Sequence, residues 1–359
     1  MKMNIQRLVK VRQGILSFLL IGFLFCSISF NYLDSAILSQ KASIYNNQTE
    51  IILEHKTAGK VELNPFIIDD NGDDGDGGGN YTWTEATAES WCSGSGTWQD
   101  PYIIFNVSIN ADGQGNCLEI RDSNVYFRIQ NCTFLNAGSV WDAGIRIYQA
   151  ANGTLINNIC SHNKGVGIYI RSSNNITILN NTLENNEYGV RLYEAHNNNT
   201  IQGNNIFNNE NGIHIDTSDN STVMENNFTS NIKLGFEIED SKNILVYNNT
   251  FINNREGLVL DYANNNLVFQ NKISASGYSG IELYHSANNI VEENFLVNID
   301  DYGIILDTSD YNDIINNNIT NARIKGLELK TSSNNTIQEN SIYEGILGNT
   351  IDSDSGNNT

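Results

Sequence analysis

Arginine and tyrosine stand two residues apart at three points of this 359-residue sequence: Arg146 with Tyr148, Tyr169 with Arg171, and Arg191 with Tyr193. A guanidinium fork grips a carboxylate or sulfate through two parallel hydrogen bonds, and a tyrosine face stacks on a sugar ring. Together they suit recognition of a polysaccharide or cell-surface glycan, above all an acidic one. Further along come four carboxylates, Asp216, Glu237, Glu239 and Asp261. Oxygen donors in that number suit Ca²⁺, and like charges held close repel unless a cation joins them. A third set, Asp300 and Asp301 followed by Arg323 and Lys325, has the residue types for acid–base work on a sugar chain.

A repeat brings these sets together. Gly144, Gly167, Gly189, Gly212, Gly235, Gly257, Gly280, Gly303 and Gly326 each open an apolar-x-apolar run, and successive members are 22 or 23 residues apart. Six residues after each glycine stands alanine or serine. Eight after stands asparagine (Asn152, Asn175, Asn197, Asn220, Asn243, Asn265, Asn288 and Asn334), with Tyr311 the one departure. Self-similarity at this period signals a solenoid. The alternating runs are too short to be independent strands, and no helical period separates them. Stacking each turn on the next, about 4.8 Å apart, buries the inward apolar row and pairs the backbones. The fold class is therefore all-β: a parallel β-helix of about ten rungs, each with three short strands. The bends are assigned to asparagine and glycine, which tolerate left-handed backbone, and inward asparagines are expected to form amide ladders.

From about residue 90 to 350 the chain resembles the right-handed parallel β-helix superfamily, specifically the NosD-like repeats shared by carbohydrate-binding proteins and sugar hydrolases. The segment "GSGTWQDPYIIFN", residues 94–106, is similar to the opening segment of many exported NosD-like proteins. The resemblance implies right-handed winding, with ligand lying across a parallel-strand face and chemistry on outward side chains of adjacent rungs. "NIDDYGI" and "NARIKGL" resemble the Asp-Asp and Arg-x-Lys elements of polygalacturonases, which would give Asp300, Asp301, Arg323 and Lys325 catalytic roles. The Asn-Thr-Asp and Gly-His-Gly elements of that family do not occur here, so the set reads as a solvated charge pair. Metal delivery is the role that gives the NosD family its name. It finds no support in His55, His162, His196, His214 and His285, which fall at different repeat positions.

A net charge of −21 excludes nucleic acid as a partner, since a polyanion needs basic patches. Four basic residues precede an apolar run over residues 14–30, the pattern of a secretory signal or of an uncleaved membrane anchor. Export makes Cys92, Cys117, Cys132 and Cys160 disulfide candidates, with three connectivities open; the alternative is that they are small buried hydrophobes. The domain reading is a signal or anchor over residues 1–36, a poorly structured segment over 37–63, an acidic Gly/Asp-rich linker over 64–82 and the β-helix over 83–359. The only membrane contact expected is through the N-terminal segment. The cofactor expectation is none, or Ca²⁺ at the stacked carboxylates.

The favoured function is an exported surface module that binds polysaccharide or builds surface structure without a catalytic constellation. One alternative is a polysaccharide lyase or glycoside hydrolase acting on the same face. Another is a NosD-like accessory protein for an exported metalloenzyme. Self-association through the C-terminal rung is a further expectation, because no apolar cap follows it.

Overall fold

The computed structural model describes residues 59–70, 80–195, 198–343, 350–351 and 355–358. The expected signal or anchor, all of the chain before residue 59, residues 71–79 of the expected linker, His196 and Asn197 lie outside the described residues, as does most of the final turn.

The chain winds as a parallel β-solenoid of about ten turns, and each turn lends one strand to each of three sheets. The first sheet runs from Val61–Leu63 to Ser341–Tyr343; the second contains every glycine of the repeat; the third runs from Cys92–Ser93 to Thr336–Gln338. Alternation sets the register. In the glycine sheet Ile145, Ile168, Val190, Ile213, Phe236 and Leu258 pair in succession, and all are fully buried.

Asparagine serves two separate purposes at the corners. In the doublets Asn180-Asn181, Asn185-Asn186 and Asn208-Asn209 the first residue has φ between 53° and 56°. That is the left-handed region, where asparagine is the cheapest residue bearing a Cβ. The second turns inward. From Asn158 through Asn204 to Asn340, the Oδ1 of each ladder asparagine accepts the backbone N–H of its predecessor at 2.8–3.0 Å. The side-chain amides thus satisfy corner backbone groups that no strand reaches, a requirement for any buried polar group. Asn198 (φ 65°) holds the corner that the spacing assigned to its neighbour Asn197. Tyr311, the departure from the asparagine row, adopts the same conformation at φ 58°.

The repeated glycines do not make bends, which corrects the expectation. They lie within strands such as Val166–Arg171 and Asn211–Asp216. A Cβ on Gly144 through Gly303 would stand 2.2–2.9 Å from the carbonyl oxygen of the next glycine in the stack. Close approach of rung to rung, rather than positive φ, excludes a side chain there.

The solenoid begins earlier than residue 83. Val61–Leu63 pairs with Val107–Asn110, Phe66–Asp69 with Leu118–Arg121, and Asn80–Tyr81 with Phe66–Asp69. Strands thus occupy part of the expected linker, because Phe66 and Ile68 extend the buried row by one rung. A one-turn helix, Trp83–Ala86, follows, with Thr82 and Glu85 forming a capping box. Trp83 stacks on Tyr102 at 4.9 Å and, with Trp91, supplies aromatic bulk to the first rungs of the core.

Candidate functional site

The glycine sheet presents two outward columns, two and four residues after each glycine. Registration interleaves them. One column reads Arg146, Tyr169, Arg191, His214, Glu237, and the other Tyr148, Arg171, Tyr193, Asp216, Glu239, Asp261. Over the first three of these rungs arginine and tyrosine form a chequerboard. The Arg146 guanidinium lies 5.5 Å from the Tyr148 ring and 5.8 Å from Tyr169, and Arg171 lies 5.8 Å from Tyr148 and 5.4 Å from Tyr193. Arg191 lies within 5.6 Å of three rings, those of Tyr188, Tyr193 and Trp141. Acidic partners are loose: Glu119 is 4.0 Å from Arg146, Glu194 is 3.6 Å from Arg171 and Asp216 is 3.8 Å from Arg191. The Nε atoms of all three arginines are buried without a hydrogen-bond partner. Rings therefore brace the cations while leaving their hydrogen-bonding capacity largely unspent.

The tyrosines, however, do not all offer faces to a ligand. Tyr169 is 3 % exposed and packs in a small apolar cluster with Ala143 and Val166, outside the main core. Its place in the ligand-binding set is corrected to that of a brace. The ring open to solvent is Trp141, 63 % exposed, on the loop beside Arg191. The sequence reading missed it because it sits outside the two columns, although an aromatic residue three positions before Gly144 was a visible signal.

Below the chequerboard the same columns turn acidic. Asp216, Glu239 and Asp261 are registered on successive rungs, and Glu237 stands in the neighbouring column beside His214. Asp216, Glu237 and Glu239 gather around an imidazole, with Asp261 one rung beyond Glu239: His214 Nε2 is 2.9 Å from a Glu239 oxygen and 3.7 Å from a Glu237 oxygen. Tyr188 stacks on the His214 ring at 5.7 Å. Burial, then Arg191, lowers the His214 pKa, with Glu239 and Asp216 opposing. Burial, then Glu239, Asp261, Glu256 and Asp216, pushes Glu237 up to about 7. Burial also raises Asp261, Glu256 and Glu282. Glu237 therefore takes up a proton more readily than an ordinary carboxyl, and His214 less readily than an ordinary imidazole.

The third set separates into two ordinary ion pairs. Arg323 donates to the Asp301 carboxylate and to the Asp300 carbonyl, both at 2.7 Å. Lys325 instead reaches Glu328 of its own strand at 2.5 Å. With Arg323 largely exposed, this is the solvated pairing that the missing family elements suggested. Cys92, Cys117, Cys132 and Cys160 are buried free thiols, so the disulfide expectation is not met. Burial pushes Cys117 and Cys132 up to about 12, and they behave as small core residues.

Residues 107–269 match the family described as right handed beta helix region, and residues 252–359 match the periplasmic copper-binding protein NosD. The chain folds as a parallel β-helix, and these two segments are similar to those families. No curated protein matches it. Among solved structures, this β-helix is similar to DFA-IIIase from Arthrobacter chlorophenolicus A6, without its lid and in complex with GF2. The identity is 13 %, the coverage 71 % of this chain and 81 % of that one, and the TM-score 0.54. A periplasmic alginate epimerase is similar at 15 % identity, 72 % and 78 % coverage and a TM-score of 0.44. At these identities the likeness shows the fold alone. Among the described residues no helix is long and apolar enough to cross a membrane.

The NosD description names copper, and the matched segment does not fit it. Residues 252–359 contain one histidine, His285, and neither cysteine nor methionine. His285 is stacked on Tyr262 at 4.7 Å and meets Tyr284 edge-to-face at 4.1 Å. Soft donors or several imidazoles would be needed to hold copper there.

Proposed function

We propose that this β-helix is an exported module that binds an anionic polysaccharide along the outward face of its glycine sheet. Arg146, Arg171 and Arg191 take the acidic groups, and Trp141 stacks on a sugar ring. The observation that carries the reading is the chequerboard: three guanidiniums, one per rung, braced by aromatic rings, with no carboxylate among the described residues nearer than 3.6 Å. Bracing before binding lowers the entropy lost on association, so each contact yields more affinity. A chain of net charge −21 repels polyanions at long range, but that field is screened within about 10 Å at 0.1 M salt, leaving the local arginines to decide. Export is supported by the basic and apolar N-terminal pattern and by the periplasmic family that residues 252–359 match.

Retention on immobilised polygalacturonate, a sulfated glycan and a neutral glucan, with parallel assay of new chain ends, tests the reading. The expected result is retention on the acidic supports without cleavage, reduced at least tenfold when Arg146, Arg171 and Arg191 are all changed to Gln. Equal retention by the triple variant would overturn it. Release of unsaturated or reducing ends would replace binding with lyase or hydrolase action on the same face.

A further inference from the structure

Below the arginines, one cluster combines nitrogen and oxygen donors. Among the described residues, His214, Asp216 and Glu239 are the group whose metal-ligating atoms all lie within 4.8 Å of one another. Two adjacent rungs supply them, His214 and Asp216 from Asn211–Asp216 and Glu239 from Leu234–Glu239. Parallel pairing places Asp216 directly against Glu239. The strands fix all three, so no loop must fold to assemble the set. His214 is 5 % exposed, and its Nε2 faces the Glu237 and Glu239 carboxylates. Its other nitrogen, Nδ1, is buried without a partner. An imidazole aimed from a buried position into a group of carboxylates is a feature that an acidic patch alone lacks.

We propose that His214, Asp216 and Glu239 bind a borderline divalent transition ion of the Zn²⁺ class, with Glu237 and Asp261 as flanking carboxylates. This modifies the calcium expectation, because Ca²⁺ takes six to eight oxygens and gains little from an imidazole. Mixed nitrogen and carboxylate donors suit Zn²⁺, Co²⁺ or Ni²⁺. The site also lies outside residues 252–359, the segment that matches the copper-binding family. Copper(II) would bind tightly to any such nitrogen–oxygen set, so its affinity would not be diagnostic. The missing partner for His214 Nδ1 has a quantitative consequence. Metal-bound imidazoles ordinarily donate their second N–H, and losing that support costs about 10–100-fold in affinity. Micromolar rather than nanomolar binding is therefore expected. The site is independent of the polysaccharide reading and would persist if that reading failed.

Calorimetric titration of the chelator-treated full chain with Zn²⁺ and, separately, Ca²⁺ tests the proposal. One Zn²⁺ per chain at micromolar affinity is expected, with Ca²⁺ at least tenfold weaker. His214→Gln and Asp216→Asn should each weaken Zn²⁺ at least tenfold. Glu282→Gln, on the same face two rungs beyond Glu237, should leave it unchanged. Should the His214 variant fold poorly, Co²⁺ added to the wild-type protein should selectively broaden the His214 ring resonances. Absent Zn²⁺ binding at millimolar concentration, or binding indifferent to His214→Gln, would overturn the proposal. Unperturbed His214 resonances with Co²⁺ bound would do the same.

Discussion

The arginine half and the acid half of the glycine sheet occupy the same positions of the same repeat, one directly above the other. Inward, the two halves are alike: aliphatic or phenylalanine side chains and a glycine that lets the rungs close. Outward, charge is handled in opposite ways. From Arg146 to Arg191 each cation sits between aromatic rings. From Asp216 to Asp261 the carboxylates face one another, and burial with the neighbouring acids pushes Glu237 up to about 7. The scaffold therefore dictates where outward groups stand, about 4.8 Å apart, while the group in the next rung dictates whether they stay ionised.

The first expected effect, on stability, tests the acid half. Glu237 has an ordinary pKa of 4.5 when unfolded and about 7 when folded, so the native state holds the extra proton between those values. Its stabilising contribution is complete below about pH 4.5 and is lost as pH rises through about 7. At about 1.4 kcal/mol per pH unit the ceiling is about 3 kcal/mol, and residual exposure of the side chain reduces this to about 1–2 kcal/mol. Glu237→Gln, unfolded by urea in the presence of chelator, should match wild type at pH 4 and exceed it at pH 8 by that amount. His214 titrates in both proteins and largely cancels. An equal difference at the two pH values would show that the carboxylates do not strain one another, and the contrast between the halves would lose its electrostatic basis.

The second prediction moves the boundary. Changing His214 to Tyr and Asp216 to Arg extends the chequerboard by one rung, adding a cation where registration places it beside Tyr193. One further charge-assisted contact contributes about 1.5–3 kcal/mol, so affinity for an acidic polysaccharide should rise roughly tenfold or more. The same change should abolish Zn²⁺ binding. Unchanged affinity, measured by retention or calorimetry, would mean that the arginine half is bounded by something other than the sign of its neighbours.

Much of this architecture was legible in the sequence because a solenoid repeats its constraints. The glycine spacing gave rung length, and the alternation gave the inward row. What stayed hidden depends on register and depth. Gly212 looked like a bend residue, yet it is a contact residue, 2.2 Å being the space left between its absent Cβ and the Gly235 carbonyl. Tyr169 looked like a sugar platform, yet two neighbouring rungs cover it. His214 looked isolated among scattered histidines, and only its rung partner Glu237 and the diagonal Glu239 reveal its company. The four cysteines looked pairable from export alone. Their burial at different corners and strands shows them filling space.

The smallest effect concerns the seam where the halves meet. Arg191 belongs to the chequerboard by its rings and to the acid cluster by Asp216, 3.8 Å away. After burial it is the main influence holding the His214 pKa below its ordinary 6.5. Removing the guanidinium as Arg191→Gln leaves the burial but deletes a nearby positive charge, so the imidazolium becomes easier to form. The His214 pKa, followed by its ring proton shifts across pH 4–8 with chelator present, should move upward toward the ordinary value. Because the folded pKa is depressed, His214 contributes stability above 6.5 that is lost as pH falls through the folded value. The variant should therefore tolerate acid slightly better than wild type. Tyr188, stacked on the imidazole and in contact with Arg191, remains in place and keeps the ring desolvated. A His214 titration identical in both proteins would mean that the two halves do not communicate across the seam. Arg191 would then serve the arginine half alone.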